Sequence, residues 1–235
     1  PNLAVAGDLV LSNCGSLRAL PQKLAVRYNL ILTKCAALTA IPEVRARSLL
    51  LADCNHVQSL SPDASLSEIT ISLSISSRAF LRSVLERPGL SVSIMACDDL
   101  LTLSIGRLGA TALKVCGCKN LTRISGSLQA KYSISLIDLE ALERVDAPVQ
   151  CIAFSVTNCP VLAALPQDMM VGSISLEKVD RLTSFPERIT FTLPIHHVSV
   201  SQARALECIS GSGWTTTVRE RTSRSVTLSD CPALR

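Results

Sequence analysis

LVLSNCGSLRALP (9–21) returns one period later as LILTKCAALTAIP (30–42), and FSVTNCPVLAALP (154–166) carries the same frame far down the chain. The frame places apolar residues five and three positions before a cysteine and another three positions after it. Leu9, Leu11, Cys14 and Leu17 set it, and Leu30, Leu32, Cys35 and Leu38 repeat it. Seven of the ten cysteines take that place: Cys14, Cys35, Cys54, Cys97, Cys118, Cys159 and Cys231. Sliding the frame fills the gaps with rungs at Ser76 (Ile71, Leu73, Ala79), Leu139 (Ile134, Leu136, Leu142), Val179 (Ile174, Leu176, Leu182) and Ala203 (Val198, Val200, Leu206). Eleven rungs result, most of them about 19 to 22 residues apart, the spacing of a short solenoid repeat.

A second column supports the register. The seventh residue after each rung reads Pro21, Pro42, Ser61, Ser83, Ser104, Ser125, Asp146, Pro166, Pro186 and Ser210, all turn formers. The Ser76 rung fits least well, because Arg82 stands where the others carry Leu, Ile, Val or Phe.

Side chains alternate between the faces of a strand, so the residues five and three before each rung share one apolar face. One such strand cannot bury that face alone, and stacking neighbours makes a continuous core. Strands about 4.8 Å apart give a parallel sheet roughly 50 Å long. A cysteine suits the rung because a thiol packs like a small hydrophobe and donates only weakly. The return segments are too short for three-turn helices and predict extended, polyproline-like or 3₁₀ structure. Ser77 to Arg87 is the exception, with Phe80, Leu81, Val84 and Leu85 at helical spacing before Pro88. The long step before Cys231, with Gly211–Trp214, Arg219, Arg221 and Arg224, predicts a projecting loop.

These units resemble the LxLxxCxxLxxLP unit of leucine-rich-repeat proteins over essentially the whole chain. The resemblance implies a right-handed solenoid with a parallel sheet on the concave face, and a rung side chain bonded to backbone groups of the turn. The short period is similar to secreted bacterial effectors of the YopM and IpaH kind, although those repeats carry Asn where this chain carries Cys. That likeness implies a non-enzymatic protein-recognition module of an effector, working in the cytoplasm, and in a host cell's cytoplasm after secretion. The alternatives are the sensor repeats of an intracellular immune receptor and a structural spacer without its own ligand.

Apolar residues make up 48% of the chain and aromatics 3%, so the core is aliphatic. No apolar run approaches the roughly 18 to 20 residues of a membrane span. Cysteines repeated at one interior place favour buried, reduced thiols. A disulfide framework is the competing reading, since stacked rungs lie near one another. Cys116, Cys151 and Cys208 stand off the ladder, and alternation puts Cys116 on the sheet surface. Residues 1–235 read as a single repeat domain, and the lack of polar capping repeats predicts a piece of a longer protein.

Positions six, four and two before each rung point away from the core and are rich in small hydroxyls, among them Ser72, Ser74, Ser91, Ser133, Thr157 and Ser201. Ser93, Lys114, Ser135, Ser155, Glu177 and Ser199 are the candidate binding residues. A solvated strand face is the competing account of the same serines. Val10, Ile31 and Leu50 form an apolar stripe near the N-terminus. His196 and His197 face opposite sides of a strand, and Cys116 and Cys118 do likewise, so neither pair predicts a metal site. No phosphate loop, HExxH or GxSxG motif is present, which predicts no catalytic residues and no cofactor. A net charge of +4 is too small and dispersed to predict nucleic-acid binding; Arg219, Arg221 and Arg224 near Trp214 are its densest cluster.

Overall fold

The computed structural model describes residues 2–74, 77–106, 109–186, 188–192, 195–209, 214–216 and 223–234. The chain is a β-solenoid. Its broad sheet is built from β1 (Leu9–Ser12), β2 (Asn29–Thr33), β3 (Ser48–Ala52), β4 (Glu68–Ser72), β5 (Ser91–Met95), β6 (Ala112–Cys116), β7 (Ser133–Ile137), β8 (Val149–Thr157), β9 (Asp168–Glu177), β10 (Ile195–Ser201) and β11 (Ser223–Ser229). Each pairs in parallel with the next in chain order, one strand per repeat of about 21 residues.

The two apolar residues of each strand are why it lies here. Leu30 and Leu32, Leu113 and Val115, and Ile134 and Leu136 are at most 1% exposed. Burying one such side chain contributes roughly 1.5 to 3 kcal/mol, gained only when a coil is stacked on each side. The terminal strands show the same rule in reverse: Val226 and Leu228 of β11 remain 49% and 40% exposed.

Each coil turns at one residue in the left-handed region, directly before the rung. Asn13, Lys34, Asp53, Leu73, Ala96, Gly117, Asp138, Asn158, Lys178, Gln202 and Asp230 all have φ between 51° and 70°. From Asn13 through Gln202, the N–H of that residue donates to the last strand carbonyl of the following coil at 2.8–3.1 Å. The rung side chain then points inward. Rung thiols donate weakly to carbonyls, as Cys54 Sγ does to Leu32 at 3.4 Å and to Ala52 at 3.5 Å. Leu139, Val179 and Ala203 fill the same place fully buried, so most rungs carry a small or medium apolar group.

One rung differs from the sequence expectation. Glu68–Ser72 pairs in register with both Ser48–Ala52 and Ser91–Met95, which makes Ser74 the fourth rung rather than Ser76. Ile69 and Ile71 are the buried pair, whereas Leu73 is the left-handed residue and is 54% exposed. A shift of two residues keeps every side chain on its face, so alternation alone could not separate the two registers. Residues 75 and 76 lie outside the described residues. The extra length of this coil forms α1 (Arg78–Leu85), capped by the Ser77 hydroxyl accepting from the Phe80 N–H at 3.0 Å. Phe80, Leu81, Val84 and Leu85 are buried, and Arg87 donates to the Ser61 carbonyl at 2.9 Å, tying the helix end to the preceding coil.

The back of the solenoid also differs from the polyproline or 3₁₀ expectation. Asn2–Val5, Lys23–Val26 and Glu43–Arg45 form one parallel ladder, and Thr102–Ile105, Arg123–Gly126 and Arg144–Asp146 another. In a third, Asp168–Val171 pairs with Arg188–Phe191. Once coils stack, backbone N–H and C=O groups of extended segments meet partners in the next coil, which polyproline structure would leave unpaired. Trp214–Thr216, expected in a projecting loop, is a strand on Ile189–Phe191; Ser210, Gly211–Gly213, Arg219 and Arg221 lie outside the described residues. Gly126 permits one close approach, since a Cβ there would sit 1.8 Å from the Ile105 carbonyl oxygen.

Leu136→Asp should cost more than about 4 kcal/mol in urea unfolding, because it buries an unpaired charge, while Ser135→Asp on the opposite face should change little. For the fourth coil, Ile71→Gly should lose more than about 3 kcal/mol and Leu73→Gly should fall within about 1 kcal/mol of the parent. Equal collapse of both variants would place Leu73 in the core and contradict the Ser74 rung.

Candidate binding face

Strand register sorts the outward side chains of the broad sheet into three rows. The central row reads Val10, Ile31, Leu50, Thr70, Ser93, Lys114, Ser135, Ser155, Ser175, Ser199 and Thr227. Five of the six candidate residues therefore stand in one line, with Lys114 exposed between half-buried Ser93 and Ser135. Glu177 stands apart, in the row nearest the turns, between Thr157 and Ser201. Ser74 leaves this face altogether: it is a rung, and its hydroxyl bonds the Asn55 side chain.

Some hydroxyls satisfy one another. Ser155 Oγ donates to Ser135 Oγ at 2.9 Å, and the Ser91 and Thr111 hydroxyls lie 3.2 Å apart. At the N-terminal end the Ser48 hydroxyl donates to Asn29, whose amide donates to Asp8. Val10, Ile31 and Leu50 are adjacent across the first three strands, with Val10 56% exposed.

The row nearest the turns holds a feature the sequence reading missed. Ser72, Met95, Cys116 and Ile137 are neighbours across β4 to β7. The left-handed residues beside the first three of them are Leu73, Ala96 and Gly117, whereas the other eight coils place Asn, Asp, Lys or Gln there. An apolar patch thus interrupts an otherwise polar turn ridge. The signal was in the sequence, in the residue just before each rung, but the misplaced fourth rung hid Leu73 as a core position.

Toward the C-terminus the same ridge borders a groove of ≈ 710 Å³ lined by Asn158, Lys178, Gln202, Asp230, Asp180 and Arg204. Arg204 Nε lies 3.6 Å from Asp180 Oδ1, an exposed pair of small energetic consequence. His197 is exposed between Ser173 and Ser225, and the His196 side chain lies outside the described residues. Among the described residues, no group of three or more His, Cys, Asp or Glu is placed to share a metal ion.

All ten cysteines are free thiols. Burial pushes Cys151 up to about 12 and Cys159 up to about 11 from an ordinary value of 9.0. Cys97 is pushed up by its hydrogen bond with Cys118 and then by burial. Cys116, on the outer face, is raised by partial burial, with Lys114 acting in the opposite direction. Cys208 is exposed on the back ladder.

Comparison with protein-family models, curated proteins and solved structures finds no match to this chain. Among the described residues no helix is long and apolar enough to cross a membrane.

Raised thiol values carry a sign. The folded state holds protons on Cys151 and Cys159 that the unfolded chain releases near pH 9, so their stabilisation is complete below that pH. Thermal unfolding followed from pH 8 to 11 should show falling stability as pH rises through the interval between 9 and the raised values of about 11 and 12. Cys151→Ala should flatten that decline. In native alkylation at pH 8, Cys208 should react before Cys35, Cys54, Cys97 and Cys159.

Proposed function

We propose that this chain is a non-enzymatic recognition module that holds another protein against the outward face of its broad sheet. The observation that carries the reading is the unbroken register of eleven strands. Eleven strands at about 4.8 Å, each presenting about five residues at roughly 3.3 Å, offer a surface near 50 by 16 Å. That is about the 800 Å² each partner buries in an interface of standard size. Small hydroxyls suit close approach of a backbone and lose little side-chain entropy on contact. The resemblance of the repeat unit to effector repeats gives the proposal its specific form, a recognition region working in a host cell's cytoplasm.

A spacer is the competing reading, and the Ser155–Ser135 hydrogen bond favours it, since hydroxyls that satisfy each other need no ligand. The two separate with the chain used as bait in a reducing cell lysate. Joint replacement of Ser135→Arg and Ser155→Arg should abolish specific capture without lowering the melting temperature. Capture unchanged by both substitutions would contradict recognition through this face.

A further inference from the structure

We propose that the apolar patch on the turn edge of β4 to β7 docks an amphipathic α-helix of a partner protein. The inference rests on the recognition reading and gives the partner a chemistry. Leu73 is its anchor. A Leu at φ 70° sits in a conformation that bulky side chains rarely adopt, and here it is also 54% exposed. The turn itself does not require Leu: eight of the other ten coils make it with Asn, Asp, Lys or Gln. Both the backbone conformation and the solvent disfavour Leu at this position, which points to a contact outside the chain. Ala96 is exposed beside it, and Met95, Cys116, Gly117 and Ile137 are half-buried, continuing the patch across four strands.

The spacing selects the occupant. Four strands at about 4.8 Å put the patch over roughly 14 Å along the stack. An α-helix laid in that direction presents one apolar side chain per 5.4 Å turn, so about three turns follow the strands. An extended strand repeats one face at about 6.6 Å and falls out of step at the first interval, and a polyproline helix at about 9.3 Å meets only every second strand.

Charge adds a polarity across the patch. Lys114 is exposed on its inner flank. On the outer flank the exposed carboxylates of Asp98, Asp99 and Glu140 outnumber the ammonium of Lys119, and Asp138 ends the patch on the ridge itself. The fitting helix therefore carries Leu or Met at i, i+4 and i+7, acids along the side facing Lys114 and bases along the other.

The probe is a fluorescent synthetic peptide of that pattern, about 18 residues long so that it is helical on its own. It is titrated with the full chain under reducing conditions. Saturable binding is expected, weakened at least roughly tenfold by Leu73→Asn, a difference of about 1.4 kcal/mol. Because Asn occupies the same turn in Asn13 and Asn158, this variant should keep the parent's melting temperature. A peptide broken by a central Pro and one with its charged flanks exchanged should bind the parent chain at least as weakly as the intact peptide binds the Leu73→Asn chain. Absence of saturable binding, or equal binding by Leu73→Asn or by the Pro peptide, overturns the helix site. So does self-association of the chain abolished by Leu73→Asn, which assigns the patch to a second copy. Partner capture that survives Leu73→Asn but is lost with Ser135→Arg and Ser155→Arg also overturns it, and leaves the recognition reading standing.

Discussion

A single N–H at the turn of each coil governs this molecule. The residue before the rung enters the left-handed region and donates to the last strand carbonyl of the following coil, and ten such bonds run from Asn13 to Gln202. The bond closes the strand, aims the next side chain inward, and sets each coil against its neighbour in register. Without it the apolar pairs would still collapse, but a two-residue slip would preserve the buried face and scramble the surface rows. Apolar burial supplies most of the driving energy, and the turn bond supplies the register.

Register is what gives the surface a meaning. Because every coil is aligned, side chains at one repeat position form lines: hydroxyls along most of the central row, polar groups on most of the turn ridge, and an apolar interruption at Leu73, Ala96 and Gly117. Interior positions repeat because each must satisfy the same packing, whereas turn positions need only tolerate a left-handed backbone. Departures on the ridge are therefore free to reflect what the surface meets. Leu73 departs furthest, since Asn or Gly would make the turn at less conformational cost.

Much of the architecture was legible because buried apolar spacing is strict. Leu9 and Leu11, Leu30 and Leu32, and their successors announced both the strands and the stacking. The fourth rung was not, since Ile69, Ile71 and Leu73 offer two apolar frames of equal face parity and only the hydrogen-bonded register separates them. The β ladders along the back were hidden for another reason: extended and β-paired segments have the same local sequence, and the pairing depends on the neighbouring coil. On the candidate face, the row holding Ser93, Lys114, Ser135, Ser155 and Ser199 follows from alternation and period alone. The apolar patch lay in the residue just before each rung, and the misplaced fourth rung, which put Leu73 in the core, hid its anchor.

The turn amides offer the most direct measurement. Residue-resolved hydrogen exchange of the N–H groups of Lys34, Asp53, Leu73, Ala96, Asp138, Asn158 and Lys178 reads the bond on which the stack depends. These residues sit at a turn, and Leu73 and Ala96 are exposed, so side-chain exposure alone would predict rapid exchange. These amides, Leu73 included, should be protected as strongly as the central amides of β5, β6 and β7. Exchange of the group at the rate of unstructured amides would contradict the register of the solenoid, and fast exchange confined to Leu73 would contradict the assignment of its coil.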